Sequence, residues 1–171
     1  MQRQVGRGWR VSPLLVLALA FQALTPDATA AAQTAVAFNE QLARRYFEEV
    51  WNRGKLDVLD ELLAPNYINH TPSSPDPAPG PDGLKPIVLA MRRAFPDLRY
   101  EIKDVVATEE SVVIRVVMTG THRGDLFGLA PTNRRVTVNQ INIERIENGR
   151  IAEHWRVTDE LTLMRQLGFA P

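Results

Sequence analysis

Residues 136–159 read VTVNQINIERIENGRIAEHWRVTD, and this stretch decides the fold. Two β-rich runs flank Asn148-Gly149, a dipeptide suited to the positive φ angles of a tight hairpin turn. Side chains alternate between faces along a strand, so Gln140 and Asn142 share one face, and His154 and Arg156 share a face on the returning strand. Ile141, Ile143 and Trp155 take the alternate positions. Four polar side chains on adjacent strands are too many for a dry core, where each unpaired group costs about 1–3 kcal/mol. They line a wet pocket or lie on an open surface, and the rest of the chain favours the pocket.

Before the hairpin, Ser111–Thr121 is apolar on both faces apart from Arg115, which suits a sheet covered on both sides. Tyr100 and Ile102 alternate with Arg99, Glu101 and Lys103 in another strand. Gly120–Arg135 connects to the hairpin, and its glycines lead into no helix, which excludes a phosphate-cradling loop. After the hairpin, Asp159 is placed to cap a helix carrying Leu161, Met164 and Leu167 and closed by Gly168.

Upstream, Leu42, Tyr46, Phe47, Val50 and Trp51 recur at helical spacing within Val36–Asn52, and Gly54 ends that helix. Leu56–Leu63 predicts a short second helix stopped by Pro65. Asn66–His70 reads as extended. Thr71–Gly83 holds five prolines and can be neither helix nor central strand. It loops over a pocket mouth or forms a solvated connection. Asp82 is placed to cap a third helix, whose buried stripe is Leu84, Ile87, Val88, Met91 and Phe95. Helices followed by a run of strands make an α+β layout, a curved antiparallel sheet wrapped around N-terminal helices to form a cone with an internal pocket.

Residues 1–32 read as a signal peptide. Arg3, Arg7 and Arg10 precede the short apolar run Leu14–Leu24, and small-x-small cleavage sites follow at Ala28–Ala32. The alternative is an uncleaved anchor, against which polar Gln22 and Pro26 argue. Export to a periplasm or the exterior follows, with no membrane association after cleavage. Residues 33–171, roughly 140, suffice for a single domain with one core. The chain has equal numbers of basic and acidic residues, so it shows no electrostatic footprint for nucleic acid. It contains no cysteine, which excludes disulfides and thiolate chemistry. His70, His122 and His154 lack metal-ligand spacing, so no metal site is expected. No Gly-x-Ser-x-Gly elbow supports a serine hydrolase.

From Tyr46 to Leu167 the chain resembles the SnoaL-like polyketide cyclases, or ester cyclases, of the nuclear-transport-factor-2-like superfamily. The resemblance rests on Val50-Trp51-Asn52, Asn66–His70, Ala94–Leu98, Gly120–Gly124, Ala130-Pro131-Thr132, Asn148–Trp155 and Gln166-Leu167-Gly168. It implies the cone-shaped fold, a homodimer through the outer sheet face, and intramolecular aldol ring closure without metal or cofactor. It also implies an aspartate acid/base helped by a glutamine and a histidine on the neighbouring strand. Gln140 matches the glutamine, but Asn142 stands at the histidine position and Arg156 at the aspartate position.

That departure removes the family's acid/base and leaves other candidates. Guanidinium stays protonated, so Arg156 is no base; it binds a carboxylate, steadies an enolate, or pairs with Glu144 or another acid. His154 is the candidate for taking over proton transfer, the alternative being a merely hydrogen-bonded imidazole. His70 is a further catalytic candidate at the pocket mouth, or else caps a turn, with Tyr67 on a neighbouring wall. Asp159 is the nearest carboxylate to the site on this reading. Gln140, Asn142 and Tyr67 are expected to bind substrate. Two functions fit: acid/base chemistry on a small apolar carbonyl compound (cyclisation, isomerisation, dehydration or hydrolysis), or non-catalytic binding of a small ligand by the same fold.

Overall fold

The computed structural model describes residues 26–73 and 75–169. Helix α1 (Pro26–Arg45) continues directly into a π-helical segment, Tyr46–Asn52. The short helix α2 (Leu59–Leu62) leads without a loop into strand β1 (Leu63–Asn69), and α3 spans Pro81–Ala94. Strands β2 (Arg99–Ala107), β3 (Ser111–Thr121), β4 (Arg135–Glu147) and β5 (Arg150–Thr158) follow, and α4 (Glu160–Leu167) ends the described chain. The expected leader lies mostly outside the described residues, and 26–32 open α1.

The α+β layout is as expected, with one refinement. The sheet order is β1-β5-β4-β3-β2, in which β2 to β5 form an antiparallel meander and β1 pairs with β5 in parallel. The sheet is therefore mixed and does not close. Pro65 sits in this edge strand, where a missing ladder N–H costs little. Asn148 and Gly149 both have positive φ (50° and 72°), and they form the two-residue turn between Glu147 and Arg150. Register shifts between Ile102 and Asp104, and between Arg145 and Ile146, add the local twist that bends the sheet.

β4 alternates without a fault from Arg135 to Glu144, even positions buried and odd ones exposed. On the buried face the sheet meets Tyr46, Phe47, Val50 and Trp51 of the π-helical segment, with α1 packed on β2 and β3 and α3 packed on β1. Each fully buried aliphatic or aromatic side chain there contributes about 1.5–3 kcal/mol.

Three boundaries differ from expectation. The first helix starts ten residues before Val36 and widens to π geometry in its last turns. The second is a single turn, because β1 recruits Leu63. The third begins at Pro81 after Gly80, whose φ of 69° suits glycine, so Asp82 lies in the first turn instead of capping it.

Polar side chains fasten the layers together. Arg92 of α3 donates from one guanidinium nitrogen to the carbonyl oxygens of Trp51 and Asn52, both at 2.8 Å, so the end of the π-helical segment is capped from outside. Asp159 caps α4 as expected, accepting from the Thr162 N–H at 3.0 Å, and Gly168 closes that helix at φ 87°.

Candidate active site

Pairing between β4 and β5 sets the inner face as a ladder of cross-strand pairs: Gln140 opposite Thr158, Asn142 opposite Arg156, and Glu144 opposite His154. Gln140, Asn142, Glu144 and His154 are all buried. Gln140, Asn142, His154 and Arg156, the four expected to border a pocket, are brought together. They line a small inner chamber with Tyr46, Phe47, Trp51 and Tyr100. Its volume of about 10 Å³ is room for roughly one water-sized group. The π-helical turn supplies three of its aromatic walls, an instance of π geometry beside a site.

A larger cavity of about 670 Å³ lies beyond it, within the range of small-molecule pockets. Met91, Met118, Leu126, Phe127, Leu129, Leu163 and Met164 make it apolar, and Thr71, Ser73, Thr158 and Glu160 add polar edges. Gln140 and Arg156 border both spaces, so they stand at the neck between them. The proline-rich segment does reach the pocket. Its Thr71 hydroxyl accepts from the Arg156 backbone N–H at 2.8 Å, and its Ser73 hydroxyl accepts from the Arg156 guanidinium at 2.9 Å.

The residue that sequence reasoning underrated is Glu144. Its side chain is fully buried, and both carboxylate oxygens lie 3.0 Å from Nδ1 of His154. A carboxylate accepts only, so Nδ1 carries the proton of this bond, and in the neutral imidazole Nε2 is the nitrogen with the lone pair. No hydrogen-bond partner faces Nε2 among the described residues. Arg156 is therefore not Glu144's partner, as one reading had it; His154 is. Glu144, not Asp159, is also the carboxylate nearest the site's histidine. The signal was available, since Glu144 shares parity with Gln140 and Asn142.

Two other expectations are corrected. His70 lies on the outer face, where Nε2 is 2.6 Å from a Glu153 carboxylate oxygen and the ring stacks on Trp155 at 4.4 Å and 7°. Its N–H still bonds the His154 carbonyl oxygen at 2.9 Å, and alternation puts it with exposed Ile68 on the face away from Tyr67, so it borders neither inner space. Tyr67 is buried in the core instead of standing near the mouth.

Three buried polar atoms in this half of the molecule have no partner among the described residues: the Asn142 amide nitrogen at the chamber, the Thr158 hydroxyl at the outer cavity and the Tyr67 hydroxyl in the core. Such groups are rare in folded proteins and mark places where something polar belongs. Burial pushes the Tyr46 and Tyr67 hydroxyls far above the usual phenol range, with the Glu144 charge adding to the shift. Burial also pushes Tyr100 up to about 12, opposed by Arg156 and by a hydrogen bond with Gln140. The phenols thus stay protonated in any pH range where the protein works. A fixed cation, a buried carboxylate–imidazole pair and neutral donors around a one-group chamber can accept a proton and hold an oxyanion.

Residues 41–167 match the family model described as SnoaL-like polyketide cyclase. Among characterised proteins the chain is similar to the nogalonic acid methyl ester cyclase of Streptomyces nogalater, 30% identical over 120 residues, covering 69% of this chain and 89% of that protein. It is also similar to the aklanonic acid methyl ester cyclase DauD of a Streptomyces species, strain C5, at 30% identity, covering 72% of this chain and 78% of the other. Among solved structures, TsrD from Streptomyces laurentii superposes with a TM-score of 0.71 at 30% identity, over 78% of this chain and 96% of that one.

Proposed function

The chain belongs to the SnoaL-like polyketide cyclase family, and on that premise we propose that it is a cofactor-free acid–base catalyst of enolate chemistry on a small, largely apolar carbonyl compound. The observation that carries this reading is the fully buried Glu144 carboxylate bound through both oxygens to His154 Nδ1. Burying a carboxylate costs several kcal/mol unless it is well paired, and this one is spent on orienting an imidazole. With the family's aspartate position occupied by Arg156, the pair is the natural replacement.

The steps follow from the geometry. The substrate's carbonyl end enters the inner chamber while its apolar body fills the outer pocket. His154 Nε2 removes a proton from the carbon beside the carbonyl, and Glu144 stabilises the resulting imidazolium. The Asn142 amide, unpartnered and buried, donates to the enolate oxygen. The enolate carbon then forms a bond to a second carbonyl carbon of the same molecule, whose oxygen takes the proton back from the imidazolium. Protons and electrons balance with no external reactant. Arg156 moves no proton.

Solvent exchange tests this without knowledge of the substrate. In D2O, the protein should catalyse loss of the α-proton signal of a simple cyclic β-keto ester. Glu144→Gln and His154→Gln should each slow exchange about 100-fold or more, the usual scale of general acid–base effects. Exchange equal in wild type and both variants would overturn the catalytic reading and leave a ligand-binding protein.

The premise also supports a homodimer through the outer sheet face, where Ile141, Ile143 and Val157 are 46%, 41% and 73% exposed. Ile143→Lys should convert the sedimenting species to monomer. Export is proposed from the basic start and apolar run of the leader, and N-terminal sequencing of protein from its own host should begin near residue 31 to 33.

A further inference from the structure

Arg156 holds an unneutralised charge at the neck of an apolar pocket. Its guanidinium donates to the Ser73 hydroxyl, and no carboxylate lies within ion-pair distance of it among the described residues. The natural partner on the inner face, Glu144, is taken by His154. A partly buried guanidinium pointed at an apolar space is costly unless an anion meets it.

From this we propose that the ligand is a carboxylic acid in its ionised form, its apolar body in the outer pocket and its carboxylate on Arg156 and the Ser73 hydroxyl. The chemistry of the neck fits that group. A guanidinium presents a planar fork of donors matched to two carboxylate oxygens. Ser73 accepts from Arg156, which leaves its own O–H to donate to the same carboxylate. Gln140 and the Thr158 hydroxyl, the latter buried without a partner, flank the neck. Both similar Streptomyces cyclases are named for methyl esters, in which that group is uncharged. This chain would select the free acid where they are named for the ester.

Among the residues lining the outer cavity, one group opposes the anion. Glu160 lines the same cavity, in the exposed first turn of α4. Its exposure lets solvent screen it, whereas Arg156 is half-buried. Glu160→Gln should therefore strengthen acid binding only slightly.

The inference rests on the pocket assigned above to the reaction, but its test reads binding and not turnover. Calorimetric titration compares naphthalene-2-acetate with its methyl ester on the full chain. The wild type should bind the acid about tenfold or more tightly than the ester, the scale of a charge-assisted bidentate contact. Arg156→Gln should bring the two affinities within about twofold of each other, and Arg156→Lys should restore part of the preference. An ester bound as tightly as the acid, a preference that survives Arg156→Gln, or no binding of either probe by folded protein overturns the inference. Proton exchange equal in the wild type and the Glu144→Gln and His154→Gln variants, with the acid preference intact, would sink the catalytic reading alone.

Discussion

The side-chain amide of Asn52 pairs with the backbone of Tyr100 as a strand would, donating to its carbonyl oxygen at 3.0 Å and accepting its N–H at 2.7 Å. The end of the π-helical segment is thereby docked on the first residues of β2, holding Trp51 against Tyr100 with ring centroids 5.5 Å apart. Two walls of the inner chamber depend on this one amide.

Asn52→Ala leaves the amide and carbonyl of Tyr100 without their partner and should cost about 2 kcal/mol of stability, read as a lowered urea midpoint at unchanged slope. Asn52→Asp keeps the acceptor but not the donor, and sets a second carboxylate beside Glu48, so it should not rescue. A midpoint unchanged in both variants would show that water replaces the contact.

The Glu144–His154 pair predicts opposite effects on stability and activity. Removing only the imidazole, in His154→Ala, strands a buried carboxylate and should cost about 3–5 kcal/mol. Glu144→Gln removes the buried charge and should leave stability equal or higher while slowing proton exchange. The double variant His154→Ala with Glu144→Gln should recover much of the lost stability. Additive stability changes across this cycle would mean the two groups do not act as a unit.

How much of this was legible from the chain follows from what each residue does. The stretches that carried the family resemblance prove to hold layers together: Asn52 on Tyr100, Asp97 accepting from the Thr121 N–H and hydroxyl at 2.6 and 2.9 Å, Arg123 and Gly124 N–H groups on the Ala94 carbonyl, and Gln166 on the Thr137 backbone. Those contacts join residues 24 to 48 positions apart in the chain, so each one ties a separate element to another. The pocket was legible in two steps: parity put Gln140 and Asn142 on one face of β4, and the helices expected to pack on the sheet favoured that face as the inner one. His70 was misplaced although parity held: its N–H continues the ladder to the His154 carbonyl oxygen, and it shares the outward face of exposed Ile68, opposite buried Tyr67. Partner choice was not legible at all. Nothing in sequence spacing says whether Glu144 faces His154 or Arg156; the β4–β5 register does, and a shift of one pair would reverse it.

His122 should make the protein sensitive to mild acid. The imidazole is fully buried, accepts from the Thr132 N–H through Nδ1 at 3.3 Å, and packs on Phe95. Burial holds it below the ordinary histidine value of 6.5, against a smaller opposing pull from Asp125. The unfolded chain then binds a proton that the folded one refuses. Its contribution to stability is full above about 6.5 and is lost as pH falls from there through the depressed folded value. Urea midpoints should decline between pH 7 and 5, and less steeply in His122→Asn. Identical pH profiles for the two proteins would remove His122 as the cause.

The three tyrosines give the clearest alkaline signature, because Tyr46, Tyr67 and Tyr100 are all of them and all are buried. Desolvation raises each one, Tyr100 to about 12 and the other two beyond the reach of titration in the folded state. Here the folded chain keeps protons that the unfolded chain loses above about 10. Their stabilising effect is therefore complete below pH 10 and drains away as pH rises toward the folded values. Tyrosinate absorbance at roughly 295 nm, a wavelength chosen only to report ionised phenol, should stay flat in native protein past pH 10.5. It should then appear for all three residues together, coincident with loss of the far-ultraviolet signal. If ionisation of one phenol preceded unfolding, that phenol would be wet, and the dry aromatic wall around the Glu144–His154 pair would have to be redrawn.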